Sequence, residues 1–499
     1  MSDLVLELTA PNGLKYSQPI GLFINNEFVK STSGEKFATV DPATETDITN
    51  VYAASADDVD IAVKAARKAL KSEPYKSLGG PGRARLLLKI ADLIEQNAHT
   101  LATIECWDNG KPYLHALYAD VPMVVNTLRY FAGWADKLQG DMIETTPTKL
   151  IYTIREPVGV CGQIIPWNYP ILMVVWKIAP MLACGNTTVL KPAEQTPLSA
   201  LFLAMLFKEA GVPPGVINIL NGVGRVTGAA IASHLDIDKV AFTGSTQTGR
   251  EIMKLASINL KNISLETGGK SPSLVFDDAD LANAVKWTHQ GIMFNAGQTC
   301  TANSRILVQE GVYEKFVEQF KEHVKNVSKI GDPFESTTYQ GPQVTQAQFD
   351  RVMGYIESGK SEGATLAMGG VPHKNVNGKG FYIAPTIFTD VKDHYKIYRE
   401  EVFGPFCVIS SFVTEEEAIT RANDTTYGLG ASIFTENMKR GHRVARAIES
   451  GTVWINSSID SDFRVPFGGV KQSGIGRELG EAGLAAYTSI KSVHVNLAD

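Results

Sequence analysis

Between residues 158 and 271 the chain alternates two kinds of hydrophobic pattern. Short apolar, β-branched runs ("VGVCGQIIP", "NTTVLKP", "GVINILNG", "DKVAFTGS", "NISLETG") are bounded by Gly, Pro or Asn and lack in-and-out polarity. Between them lie helical patterns: "PILMVVWKIAPMLACG", "PLSALFLAMLFKEAG", "TGAAIASHL" and "TGREIMKLAS". Strands that alternate with helices and are apolar on both sides predict a parallel sheet covered on both faces. A doubly wound α/β unit of this kind binds ligands beyond the carboxyl ends of its strands.

A second alternating region follows. Its strands are expected at "SLVF", "RILVQ", "FYIAPTIFTD", "FCVISSF", "LGASIFTE" and "GTVWINSS". Among its helices, "VYEKFVEQFKEHVKNV" puts Phe316, Phe320, Val324 and Val327 on one stripe. Ahead of both regions, residues 57 to 107 read largely as helix. Val59, Ala62, Val63 and Ala66 share a face behind Asp57 and Asp58, and Leu87, Ile90, Leu93 and Ile94 continue the pattern. A further helix is expected over "MVVNTLRYFAGWADKL". Two stretches read as extended and two-sided, "KLIYTIREPVG" and the tail "YTSIKSVHVNLAD". They predict a hairpin and a terminal edge strand, with unpaired edges that another subunit would cover.

Composition narrows the function classes. The 499 residues are 44% hydrophobic and 20% charged, the balance of a globular protein with two to four structural units. The net charge of −6 comes with no basic run, which gives nucleic-acid binding no electrostatic support. The five cysteines show no CxxC pair and no metal-like clustering, so free thiols in a reducing compartment and no metal site are expected. The N-terminus lacks a basic n-region and an arginine-rich amphipathic helix, and the longest apolar window is interrupted by Lys177 and Pro180. The expectation is a soluble, cytoplasmic protein that neither enters nor binds a membrane.

"FNAGQTCTA", residues 294 to 302, places Cys300 in a glycine-containing turn, whereas a structural cysteine normally packs inside an apolar run. A nucleophile needs this kind of reachable position with backbone N–H groups nearby. Glu266 ends an apolar strand among glycines, where a solvated strand end is the simple reading and a functional carboxylate the sharper one. Asn168, before a Pro-initiated helix, suits a turn or a cap. "GVGRVTG" has its last glycine one place late for a dinucleotide fingerprint. "FTGSTQTG" is better placed, because a strand ends there and a helix begins, so backbone N–H groups can face a pyrophosphate.

Seven segments in order, "PWNYP", "KPAEQTP", "FTGSTQTG", "LETGGKSP", "FNAGQTC", "EEVFGPF" and "PFGGVKQSGIGRE", make the chain similar to the aldehyde dehydrogenase superfamily from about residue 20 to 495. It looks most like the cytosolic NAD-dependent class that acts on small aliphatic aldehydes such as acetaldehyde. The resemblance implies a Rossmann-like NAD-binding domain (1–138 and 159–267), an α/β catalytic domain (268–483) and a small β oligomerisation element (139–158 and 484–499). It implies Cys300 as the nucleophile that forms a thiohemiacetal and then a thioester. Glu266 is the implied general base toward Cys300 or toward the hydrolytic water, Asn168 an oxyanion donor, and Lys177 a further catalytic residue.

For NAD, the resemblance implies ribose contacts from Lys191 and Glu194 and phosphate contacts from Gly244 and Ser245. Glu401 is the implied nicotinamide-ribose ligand, with Phe403 packing near the ring. Further cofactor contacts are implied at Ile164, Ile165, Pro166, Trp167, Gly224, Gly228, Phe242 and Gly268. A carboxylate at Glu194 would favour NAD over NADP. Met123, Tyr169, Trp176 and Phe467 are the implied substrate-tunnel residues, with Phe463 nearby and Ser461 where an aromatic is expected. A homotetramer, built as a dimer of dimers, is the implied assembly. Two other classes stay open on the sequence: a CoA-acylating dehydrogenase, and a non-enzymatic protein on the same fold. Retention of Cys300 and Glu266 argues against the second, and Glu266 favours hydrolysis over CoA transfer.

Overall fold

In a computed structural model that describes residues 3–374 and 378–498, three main sheets organise the chain. The first contains five parallel strands: β1 (Val160–Ile164), β2 (Thr187–Lys191), β3 (Ile217–Ile219), β4 (Lys239–Thr243) and β5 (Asn262–Glu266). Their spatial order is β5-β4-β1-β2-β3, so the winding reverses beside β1. That reversal opens a crevice at the carboxyl ends of β1 and β4. The antiparallel strands Leu22–Ile24 and Glu27–Val29 extend the sheet past β3, and Gly474–Ile475 caps β5 from the far end of the sequence.

The second sheet has the order β8-β9-β10-β7-β6-β11-β12, with β6 (Pro272–Val275), β7 (Arg305–Gln309), β8 (Thr365–Met368), β9 (Thr386–Thr389), β10 (Phe406–Phe412), β11 (Gly430–Phe434) and β12 (Thr452–Ile455). All its neighbours are parallel except β8 with β9. The expected long strand "FYIAPTIFTD" shrinks to Thr386–Thr389, because Pro385 cannot donate to the ladder and holds the preceding residues outside it.

Helix α1 (Pro170–Ala183) follows β1, and every one of its residues is buried. Helix α2 (Thr246–Ala256) follows β4 and is capped by Ser245, whose side chain accepts from the Thr248 N–H at 3.1 Å. The helical run of 82–106 divides at Asn97 (φ −101°, ψ 18°) into Gly79–Gln96 and Ala98–Asn109. The first helix, Ala56–Lys71, opens on Ser55 rather than on the two aspartates. Ser55 and Asp58 exchange side-chain and backbone bonds in a capping box, leaving Val59, Ala62, Val63 and Ala66 fully buried. On the helix Tyr313–Val327, Phe316, Phe320 and Val324 are buried and Val327 half-buried.

The third sheet joins the two extended stretches to each other. The tail strand Thr488–Asn496 pairs along its whole length with Lys149–Pro157 of the same chain, and Met142–Thr146 lines the other side. A β-strand seeks a partner for its backbone groups, and the nearest compatible one is in cis. The outer edges of the tail strand and of Met142–Thr146 remain free among the described residues. No helix among them is long and apolar enough to cross a membrane.

Candidate active site

A cavity of about 290 Å³ lies between the first two sheets, at the carboxyl ends of β4 and β5. Into it converge Cys300, Glu266 and Asn168, from three separate parts of the chain. Cys300 is half-exposed, whereas Cys106, Cys161, Cys184 and Cys407 are buried. Its position depends on an unusual backbone. Asn295 (φ 52°), Ala296 (φ 53°) and Gly297 (φ 71°) run consecutively in the left-handed region, which costs a non-glycine residue about 1–2 kcal/mol.

Side-chain bonds offset that strain. Asn295 Nδ2 donates to the Asn168 carbonyl at 3.0 Å, Gln298 Nε2 to the Asn295 carbonyl at 3.1 Å, and the Val344 N–H to Gln298 Oε1 at 3.0 Å. A side chain at Gly297 would collide with the Gly404 carbonyl, so this turn packs directly on the "EEVFGPF" segment. Burial pushes the Cys300 thiol up to about 12, and Glu266 and Glu401 add to the rise. In this environment the thiol needs a base before it can attack.

Glu266 ends β5, buried, with neither carboxylate oxygen in a hydrogen bond of normal geometry. Burial first, and then repulsion from Glu478, hold its carboxyl well above the ordinary range, against Lys177 and Arg477. A carboxylate so placed is a stronger base than an ordinary one. Asn168 does not cap α1; Tyr169 holds that position. The Asn168 amide donates one bond to the Gln298 carbonyl at 2.9 Å and keeps its second N–H for the cavity.

Lys177 lies one layer behind. It is fully buried in α1, ion-paired to Glu478 and bonded to Thr243 Oγ1 at 2.7 Å. Glu478 itself lines the cavity. Sequence reasoning missed it, although it follows a glycine-rich turn ("GIGRE") just as Glu266 precedes one.

The expected cofactor residues fall into two groups. Pro166, Trp167, Gly244, Ser245, Gly268, Glu401 and Phe403 line the cavity. Glu401 Oε1 accepts the Gly269 N–H at 3.0 Å, and burial pushes this carboxyl up to about 7 against that bond. Phe403, at φ 62°, meets Trp167 edge-on with ring centroids 5.3 Å apart. Ile164, Ile165, Lys191, Glu194, Gly224, Gly228 and Phe242 do not line it.

Lys191 and Glu194 stand beyond the end of β2, with Nζ to Oε2 at 3.1 Å, and Gly224 and Gly228 lie against them in the turn after β3. Ile164 ends β1, and the Ile165 N–H donates to the Lys191 carbonyl at 3.1 Å. Phe242 is buried under Gly244, where its ring would meet any added side chain. Lys191, Ile164 and Phe242 end or nearly end neighbouring strands in register, so the second group flanks the first along the carboxyl ends of β4, β1 and β2.

Met123, Tyr169, Trp176, Phe467 and Ser461 also line the cavity. Trp176 and Phe467 meet edge to face at 5.2 Å, and Tyr169 Oη shares a hydrogen bond with Thr299 Oγ1 at 2.8 Å. Phe463 departs from its expected place beside the substrate: its ring packs on Tyr130 at 5.6 Å and does not line the cavity. Among the described residues no cluster of His, Cys, Asp and Glu could hold a metal.

Fold and site thus define a class of two-sheet α/β proteins in which a half-exposed thiol and an unpartnered carboxylate face the end of a doubly wound sheet. The chain belongs to the aldehyde dehydrogenase family, whose profile matches residues 28–493, and the activity that goes with that family is the oxidation of aldehydes. An aldehyde dehydrogenase of Emericella nidulans is 55% identical over 500 residues, spanning 100% of this chain and 99% of its own. Human retinaldehyde dehydrogenase 3 is 52% identical over 480 residues, covering 96% and 93% of the two chains. The NAD+ complex of an aldehyde dehydrogenase from Bacillus cereus superposes with a TM-score of 0.94 at 50% identity, over 96% of this chain and 97% of that one.

Proposed function

We propose that the chain oxidises a small aliphatic aldehyde to its carboxylate with NAD, through a covalent intermediate on Cys300. The observation that carries this reading is the convergence of the half-exposed Cys300 thiol and the unpartnered Glu266 carboxylate in one cavity. The cofactor fits the donor set. The N-terminus of α2 with Ser245 suits a pyrophosphate, and Lys191 with Glu194 suits ribose hydroxyls. Gly244 and Gly268 keep the backbone bare where a side chain would collide.

In this mechanism Glu266 takes the thiol proton and Cys300 Sγ adds to the carbonyl carbon. The Asn168 amide and the Cys300 N–H then hold the oxyanion of the thiohemiacetal, each such donor contributing about 3 kcal/mol. The hydride leaving that carbon requires an acceptor, which NAD supplies when bound. Glu266 then gives up that first proton to solvent and draws another from water as the water attacks the thioester. Collapse of the adduct breaks the C–S bond, Glu266 returns this proton to the departing Cys300 sulfur, and the acid released ionises to the carboxylate. Lys177 and Glu478 set the field around Glu266.

Under this reading residues 1–138 and 159–267 bind the cofactor, 268–483 carry the nucleophile, and 139–158 with 484–499 join subunits into a dimer of dimers. Exposed Met142, Ile143 and Ile490 on the third sheet support the last assignment. Light scattering on a chain truncated before Thr488 tests it, an unchanged mass counting against the tail.

The direct test of the chemistry follows NADH with acetaldehyde, with and without CoA. Cys300→Ala is expected to abolish turnover and any esterase side activity while NAD binding persists. Glu266→Gln is expected to lower steady turnover about 100-fold or more and to let an acyl-enzyme accumulate. Substantial turnover in the alanine variant, or an acyl group trapped on another cysteine, removes Cys300 from the mechanism.

A further inference from the structure

Behind the substrate wall sits a buried cation that the proposed chemistry does not use. Lys111 is 3% exposed; its Nζ is ion-paired to Asp120, lies 3.9 Å from Glu105 Oε2, and stands 4.3 Å from the ring centroid of Tyr169. Asp120 and Tyr169 both line the cavity. A carboxylate and an aromatic face, side by side on one wall, are the two groups that hold a quaternary ammonium or other cation. Here an internal cation has engaged both of them.

The other carboxylates of the cavity offer no substitute. Glu478 is taken by Lys177, Glu401 accepts the Gly269 N–H, and Glu266 is the unpartnered acid beside Cys300.

We propose that Lys111 determines substrate charge: by neutralising Asp120 and occupying one face of Tyr169, it makes the wall select uncharged aldehydes and reject cationic ones. Lys111 touches neither thiol nor aldehyde, so it acts through Asp120 and Tyr169 on the selectivity of the reaction. The inference rests on the proposed aldehyde oxidation and concerns only which aldehydes reach it.

The probes are an isosteric pair, trimethylammonioacetaldehyde and uncharged 3,3-dimethylbutanal, which differ by a nitrogen cation in place of a quaternary carbon. The quantity read is the cationic-to-neutral ratio of kcat/KM with NAD. Lys111→Met uncovers Asp120 and is expected to raise this ratio about tenfold or more, the scale of one uncompensated charge acting through protein. Lys111→Arg keeps the charge and is expected to keep the low ratio. Asp120→Asn removes the anion from the wall, leaves Lys111 only its longer pair with Glu105, and is expected to lower the ratio further, which preserves a test if Lys111→Met does not fold. The double variant Lys111→Met with Asp120→Asn, neutral at both positions, is expected to lose the tenfold gain.

A ratio that stays within about twofold of wild type in Lys111→Met overturns the proposal. So does an equal rise in the double variant, or a ratio indifferent to Asp120→Asn. If wild type oxidises neither aldehyde, the functional reading itself fails; if it oxidises 3,3-dimethylbutanal and the ratio ignores these charges, only the inference does.

Discussion

Replacing Glu194 by glutamine probes cofactor choice most directly, because one atom changes and the shape stays. Glu194 stands beyond the end of β2, its side chain 35% exposed and Oε2 3.1 Å from Lys191 Nζ. Burial works against its charge, but Lys191 and the N–H groups of Glu194 and Gly224 outweigh it and hold the carboxyl below its ordinary range. At neutral pH it is therefore an anion, and under the proposed function it is the group that meets the ribose. If Glu194 contacts the ribose as proposed, a 2′-phosphate would carry nearly two negative charges, taken here at a separation of roughly 5–6 Å. At an effective dielectric near 40, intermediate between protein and water, each charge pair repels by about 1.5 kcal/mol. Screening over a Debye length of about 8 Å and the nearby Lys191 cation reduce the sum to about 1–3 kcal/mol.

Glu194→Gln removes that repulsion while its amide still reaches a hydroxyl. The NAD-over-NADP ratio of kcat/KM is therefore expected to narrow by about 5- to 150-fold. The assay repeats the ratio at low and high ionic strength. Because the wild-type preference is electrostatic, it should shrink with salt, whereas the variant's ratio should stay flat. An unchanged ratio refutes the reasoning outright, and a narrowing that ignores salt assigns the discrimination to shape.

Three further predictions follow from buried groups and backbone. Lys177→Met leaves Glu478 as an uncompensated buried charge and is expected to cost about 3–5 kcal/mol in denaturant unfolding, with most of the loss recovered when Glu478→Gln is added. His115, stacked on Phe294 at 4.7 Å with Nδ1 unbonded, is lowered by burial to about 4, and His289 to about 3. Both stay neutral in the fold while the unfolded chain protonates near 6.5, so stability is expected to fall as pH drops from about 6.5 toward 4, and His115→Leu should flatten that slope in thermal melts at stepped pH. Gly297→Ala forces a side chain into the Gly404 carbonyl at φ 71° and is expected to remove turnover, whereas Gly354→Ala, in open space on an exposed helical turn, should stabilise by about 0.5–1 kcal/mol in the same melts.

The parallel strands were legible because each is a short β-branched run closed by Gly, Pro or Asn, and burial on both faces forbids the alternation that would blur them. The N-terminal hairpins were not read, since Val5–Thr9 and Lys15–Pro19 mix polar and apolar positions as half-exposed strands do. One signal was there to find. "FINNEF" carries two asparagines that take φ 54° and 64°, the left-handed pair that closes the hairpin of Leu22–Ile24 with Glu27–Val29. The tail's strand character was readable, but its partner was not: pairing in cis or in trans depends on where the chain brings Lys149–Pro157, which periodicity does not encode.

At the site, residues that end strands were the readable ones. Glu266 and Gly244 stand where a β-pattern stops among glycines, and Cys300 interrupts an apolar context with a turn. Lys111 gave no such break. A lysine in "DNGKPY" looks like solvated loop, and its meaning arises only when Asp120, ahead of the helix Val121–Ala132, and Tyr169, ahead of α1, close on it from two separate parts of the chain. Desolvation turns an ordinary surface residue into a determinant: in water the Lys111–Asp120 pair would contribute about 1 kcal/mol or less, whereas in the wall of a cavity the same pair decides the sign of the field a substrate meets. Sequence pattern reports which positions are apolar. The selectivity of this cavity resides in the few polar groups that packing has enclosed, which the pattern marks only as exceptions.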